Sequence, residues 1–152
     1  MANLDEALKI LLKDEGRDTN DHNDSGGLTR FGIAQNKHPD IDVKNLTLED
    51  ATKIYRKQYW EPLQCDLIND QEIANKLFDT SAPCGIEPVS KAIQQAAEKV
   101  SGHTIVIDGI IGPKTVELIN HCDPSTLLAE FRRLMKIHMK ILLLSIPMMQ
   151  NI

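Results

Sequence analysis

Apolar residues recur along this chain at the spacing of one helix face, and one long polar stretch interrupts them. Leu4, Ala7, Leu8, Leu11 and Leu12 share a face, with Gly16 as a plausible stop. The pattern resumes from Ala51 to Trp60, behind Thr47 and Asp50 in the spacing of a capping box. It resumes again from Asp70 to Thr80, where Pro83 and Gly85 predict a break. Val89 to Val100 follows, with Pro88 where a first helical turn tolerates it. A brief extended piece, Thr104 to Ile107, meets a turn at Asp108-Gly109, and Gly112-Pro113 opens a short helix through Ile119. Asp123-Pro124 caps a long helix with Leu127, Leu128, Phe131, Leu134 and Met135 turned inward. Between the first two helices, Arg17 to Thr29 consists of polar turn formers and a Gly-Gly pair, which predicts a loop or short hairpin. The expected fold is mainly α, with at most a small β-hairpin near that N-terminal loop. No repeat or linker divides it.

Composition limits what such a fold does. The 152 residues are 41% apolar, enough for one real core, but include only one Trp, two Tyr and three Phe. Aliphatic packing must carry the interior. The net charge of −5 and the lack of a basic stripe speak against a nucleic-acid partner, and mildly against electrostatic steering. Arg132, Arg133 and Lys136 have the spacing of a solvated helix face. Cys65, Cys84 and Cys122 are odd in number and widely spaced, so they read as reduced, partly buried thiols rather than a disulfide framework or zinc knuckle. His121-Cys122 lacks a matching pair, so no metal or other cofactor is expected. The N-terminus has no basic n-region and no long apolar run. The expectation is synthesis in the cytoplasm without a signal peptide. The apolar run Ile141 to Ile146 is too short for stable membrane insertion.

The polar stretch carries the chemistry. Glu15 stands at the end of an amphipathic helix, where Leu11, Leu12 and Phe31 would desolvate it and raise its pKa. Asp24 follows nine positions on, beside Gly26-Gly27, which let the backbone turn tightly and approach a sugar ring. Glycoside hydrolysis asks for such a pair. One protonated carboxyl gives its proton to the leaving oxygen, while an ionised one orders water or supports the cationic centre. Thr29 adds a hydroxyl that would help hold the water. Two bland readings stand beside this one. A Glu at a helix end is usually just solvated. Asp21-x-Asn23-x-Ser25-Gly26 also opens like a calcium loop, but Gly32 stands where a bidentate Glu is required. The residues alone leave these readings open.

The run Glu15-Gly16, Asn20-Asp21, Asp24, Gly26-Gly27, Thr29, Gly32-Ile33 resembles the N-terminal signature of glycoside hydrolase family 108, the bacterial and phage N-acetylmuramidases, some labelled secretion activator proteins. The resemblance continues at Tyr55 to Trp60, Leu77-Phe78-Asp79, Ile93-Gln94-Gln95 and Asp108 to Thr115, and covers about Leu4 to Lys136. It implies a lysozyme-like catalytic lobe over residues 1–100 and a closely packed, peptidoglycan-associated helical region over 101–152. It implies that Glu15 is the catalytic acid. The order Glu, Asp, Thr, which resembles that of phage lysozymes, extends catalytic roles to Asp24 and Thr29. Asn20, Asp21, Gly27, Tyr59, Trp60 and Asp79 become candidate substrate contacts, although a lone Trp in a helix is more often core and Asp79 more simply ends one. Where the family often has Gly-Tyr after Glu-Gly, this chain has Arg17-Asp18, which puts one aromatic subsite in doubt. The implied reaction is hydrolysis of the β-1,4 bond between N-acetylmuramic acid and N-acetylglucosamine in peptidoglycan. It would occur at the cell wall or periplasm after holin- or secretion-dependent release, in phage or prophage lysis or in local wall opening. A non-catalytic wall-binding module using Asp108 to Thr115, an inactive prophage remnant and a lytic transglycosylase are the alternatives.

The tail, residues 137–152, departs from the family. A permissible back-translation read two bases along gives a polar ending with two tyrosines, closer to the family's own. That points to a frameshift, whose apolar tail would lower stability or pair with a second copy as a homodimer.

Overall fold

The computed structural model describes residues 1–15, 19–20 and 28–150, with the backbone alone for 14–15, 19–20, 28 and 143–150. The architecture is mainly α. Helix α1 (Leu4–Glu15) leads into a small antiparallel sheet of β1 (Thr19–Asn20), β2 (Leu28–Arg30) and β3 (Ile33–Ala34), in the order β1-β2-β3. Helices α2 (Leu48–Tyr55), α3 (Gln71–Cys84), α4 (Ile86–Ser101), α5 (Pro113–His121) and α6 (Pro124–Gln150) follow. The sheet falls where a small hairpin was expected, and holds one short strand more.

Three of the helices start on a side-chain cap. Thr47 Oγ1 accepts the Asp50 N–H (3.1 Å), Asp70 Oδ1 that of Ile73 (2.9 Å) and Asp123 Oδ2 that of Thr126 (3.0 Å). These bonds satisfy N–H groups that the first helical turn leaves orphaned. Pro83 does not break α3, contrary to the expectation from sequence. It sits in the last turn, where it removes a single ladder bond, and the helix stops two residues later at Gly85 (φ +92°), whose N–H closes on Ser81 O at 2.8 Å.

A second departure lies beyond α2. The expected helix through Trp60 becomes a π-helical turn over Arg56–Trp60, closed by Glu61 N–H to Arg56 O at 2.8 Å. One extra residue per turn rotates the side chains that follow. Trp60 turns inward and is fully buried, edge-on to Phe78 with ring centroids 5.6 Å apart. Its indole N–H donates to Asp66 Oδ1 at 2.7 Å, the partner a buried Trp needs.

The core is aliphatic with four buried aromatics, Tyr55, Trp60, Phe78 and Phe131, and α4 packs against α3, α5 and α6 at its centre. Leu127, Leu128, Phe131 and Met135 of α6 are buried as the periodicity predicts, and Leu134 is half-buried against the core. Arg133 pairs with Glu130 on its own helix, and Lys99 of α4 reaches the same carboxylate at 3.3 Å. This agrees with a solvated face. Cys65, Cys84 and Cys122 are free thiols; burial, with Asp66 beside it, pushes the Cys65 thiol well up. Among the described residues, no helix is long and apolar enough to cross a membrane.

Candidate active cleft

Two observations fix how α1 lies on α3. At their N-terminal ends, the Asn3 N–H donates to Gln71 Oε1 (2.6 Å), and Gln71 Nε2 donates back to Asn3 O (2.9 Å). Further along, Ile10 lines a groove with Glu72, Asn75, Lys76 and Asp79. Helix α1 therefore lies along α3. Pro83 and Ala82 form one wall of a cavity of about 180 Å³.

The opposite wall is the β2–β3 hairpin. Arg30 pairs with Ile33 across a two-residue turn, Phe31-Gly32, with φ of +52° and +79°. Left-handed backbone at both turn positions suits the twist of a tight hairpin, but Phe has a Cβ and pays for that conformation. The surroundings hold it there. The Tyr55 hydroxyl donates to Phe31 O at 2.8 Å, and the Arg30 guanidinium lies 5.2 Å from the Phe31 ring centroid. Tyr55 is itself fixed, buried between Phe78 and Tyr59 with centroids 5.7 and 5.9 Å away. Phe31 and Leu12 are half-buried against the core.

The turn positions Thr29. This half-buried residue on β2 is the direct partner of Thr19 on one side and of Ala34, a cavity residue, on the other. Cross-strand partners lie about 5 Å apart, which sets Thr29 directly beside Ala34. The third wall is the segment after β3. Gln35 Nε2 donates to the carbonyls of His38 (3.0 Å) and Ile41, while its Oε1 accepts the Val43 N–H (3.1 Å). One side chain thus fixes the loop that carries Lys37 and His38 into the cavity lining.

Of the residues singled out by sequence, Tyr59 lines this cavity, Thr29 is the strand partner of its Ala34, and Glu15 is described as backbone only, as the last residue of α1. Tyr59 is half-buried, and burial pushes its hydroxyl above the usual phenol range, which keeps it a neutral donor. Asp24, Asp21 and Gly27 lie outside the described residues, in the connection between β1 and β2. Asn20 is described as backbone only, paired with Leu28. Asp79 lines the other groove, with Ile10 and Arg132. Trp60 is the correction. Its ring is enclosed on both faces, so a role in stacking on sugar is replaced by one in the core. Sequence reasoning missed Tyr55, Gln35, Lys37 and His38. The dipeptide Phe31-Gly32 between two short apolar runs signalled the turn; nothing local signalled what would clamp it.

A larger cavity, about 730 Å³, lies elsewhere, between the end of α4, α5 and the start of α6. Its His121 Nδ1 meets Glu117 O at 2.9 Å, and Cys122 Sγ meets Ala97 O at 3.8 Å, so local backbone occupies the suspected half-site. None of the sequence candidates lines it. Among the described residues, no three His, Cys, Asp or Glu groups gather as metal ligands.

The chain is similar to the solved structure of Brucella abortus SagA, with a TM-score of 0.72 and 25% identity over 90% of this chain and 79% of that one. No curated protein matches it in sequence. The profile described as glycosyl hydrolase 108 matches residues 8–85, which is more than half of the chain and takes in α1, the sheet, α2 and α3. The chain belongs to the glycosyl hydrolase 108 family.

Proposed function

We propose that the protein is an N-acetylmuramidase that hydrolyses the β-1,4 bond between N-acetylmuramic acid and N-acetylglucosamine in peptidoglycan. The supporting observation is a cavity within the matched region, lined by Tyr59 and by Ala34, the strand partner of Thr29. Family membership supports the reaction class. In this reading, Glu15 protonates the glycosidic oxygen as the bond to the anomeric carbon breaks. Asp24 stabilises the cationic centre or draws the proton from the attacking water, and Thr29 orients that water. Asn20, Asp21 and Gly27 contribute to the sugar-facing loop. No metal takes part. Release to the cell wall would depend on a holin or secretion route, and the exposed Ile137, Met139 and Ile141 on α6 would let two copies pair.

The test is the mass spectrum of products released from purified peptidoglycan. The wild type is expected to release reducing muramic-acid ends, and Glu15→Gln to lower their rate by about 10²- to 10⁴-fold, the range general acid catalysis supplies. Anhydro ends would instead identify a lytic transglycosylase.

A second reading is favoured by one specific observation. Residues 108–110 form an ordered loop held by the buried Gln94, and beside them the exposed Val106 and Ile110 flank a groove of about 650 Å³. This region would serve as a wall-binding element of the C-terminal lobe. If binding were its sole function, Glu15→Gln would leave association with the wall intact and no products would appear from either protein.

A further inference from the structure

Charge is distributed unevenly along this chain. From Phe131 to Ile152 the sequence holds Arg132, Arg133, Lys136, His138 and Lys140 and not one Asp or Glu. All 22 acids precede that segment, and the chain as a whole carries −5. The same segment is where α6 leaves the helical bundle. Its earlier turns pack on α4, with Leu127, Phe131 and Met135 buried. Met139 Sδ then meets Cys84 Sγ, on the last residue of α3, at 3.9 Å. His138 borders a small groove with Glu87 and Lys91 in the first turns of α4. Past this corner the described side chains are exposed. Met139, Lys140, Ile141 and Leu142 are consecutive, and four residues at about 100° per step face almost every side of a helix. Ile137 and Ile141 stand one turn apart at 43% and 61% exposure, with Lys136 and Lys140 one turn apart beside them. Leu144 and Met148 continue the isoleucine spacing in the sequence, and the helix runs on to Gln150. Glu130 on α6 and Glu87 on α4 are engaged by other bases, the first by Arg133 and Lys99 and the second by Lys91 at 2.8 Å.

We propose that the end of α6, from Lys136 onward, docks on an anionic lipid bilayer. Ile137, Ile141 and Leu142 would enter the boundary of the acyl chains, and Lys136 and Lys140 would lie among the headgroup phosphates. A helix that lies in a membrane surface needs this combination of apolar side chains and basic flanks. Long lysine stems let the ammonium groups reach phosphate while their apolar neighbours sink deeper. Among the described residues no helix is long and apolar enough to span, so the contact stays at the surface. Apolar area alone would also admit a second copy of the chain. Two such segments, however, bring bases together with no acid of their own to offset them, and like charges disfavour that contact. Charge selects lipid. None of these residues lines the cavity beside the hairpin, so the surface is independent of the muramidase reading.

Vesicle co-sedimentation of the full chain tests this, with phosphatidylcholine alone and with an equal mixture of phosphatidylcholine and phosphatidylglycerol. A base near an anionic surface contributes a factor of about five, so two give wild type a preference of about 20-fold for the mixed vesicles. That preference should shrink as salt is raised. Lys136→Gln with Lys140→Gln should remove most of it, and Lys136→Arg with Lys140→Arg should keep it. Ile137→Ser with Ile141→Ser should weaken binding to both kinds of vesicle. These positions are exposed, so the variants should keep the fold, which circular dichroism checks. Equal affinity for the two kinds of vesicle, or a preference untouched by the glutamine pair, overturns the proposal. Failure to bind vesicles at all does the same. A dimer in solution that Ile137→Ser with Ile141→Ser dissociates would then give this face to a second copy.

Discussion

Gln35 and Gln94 each use one side-chain amide to organise a loop, in two different regions of the molecule. Gln94 lies on α4 at 1% exposure; its Nε2 reaches Asp108 Oδ1 (3.1 Å), Ile110 O (2.9 Å) and Thr115 Oγ1 (3.3 Å), and its Oε1 accepts the Gly109 N–H (2.9 Å). Gln35 sits half-buried beside the hairpin, with water near enough to replace what it provides. The C-terminal region is thus braced from within its core. The cleft region is braced near the surface, by Gln35, by the Tyr55 hydroxyl and by strands of only two or three residues. Regions held by few buried contacts open at lower free energy, and binding sites are drawn from them. The difference teaches where this fold keeps rigidity and where it leaves room for a ligand.

The largest effect should come from breaking the inner brace. Gln94→Ala empties a fully buried position, leaves the buried Thr115 hydroxyl without its amide partner and frees the more exposed loop 108–110. The lost buried partner costs about 1–3 kcal/mol and the space left in the core adds to it, so a loss of about 3 kcal/mol is expected in urea unfolding. Gln35→Ala should cost about 1 kcal/mol, because solvent replaces part of what is lost. Equal losses at the two sites would erase the contrast.

Tyr55→Phe is a sharper cut. It keeps the ring between Phe78 and Tyr59 and deletes only the hydroxyl that holds Phe31 at positive φ. Stability should fall by about 1 kcal/mol, the usual net worth of one hydrogen bond. Turnover should fall further, about tenfold, because a small misplacement of Thr29 is felt in the reaction. If kcat follows stability and drops no more than the folded fraction does, the clamp holds the fold and not the site.

The elements legible in the sequence were those whose causes are local. Thr47, Asp70 and Asp123 cap helices because their oxygens reach N–H groups three residues on, and the inward face of α6 follows from its spacing. Pro83 misled because a proline's effect depends on its distance from the helix end, and that end is set by Gly85. Trp60 needed the π-helical turn before it, which no local pattern announced. Tyr55 and Phe31 are separated by 24 positions and Gln94 and Thr115 by 21, and such pairs exist only once the helices have packed. The family signature around Glu15 could be read because it is contiguous in the chain. The cavity beside the hairpin could not, because its walls come from four separate elements.

The smallest effect concerns acid. Asp108 is held below the ordinary carboxylate range by the Ile110 N–H and then by Gln94, and Asp123 by the Thr126 hydroxyl and then by its N–H. Both are exposed and both belong to the C-terminal region. A depressed pKa means that the unfolded chain takes up these protons first. The stabilisation is therefore complete above the unfolded value of about 3.9, and is lost as pH falls through the lower folded values. Between about pH 6 and pH 2.5, Tm should fall less steeply in the double variant Asp108→Asn, Asp123→Asn than in wild type, because its neutral amides no longer couple folding to protons. Solvent screening keeps the difference small. Parallel curves for the two proteins would place the acid sensitivity elsewhere, in the carboxylates near the cleft, and would reverse which of the two regions acid loosens first.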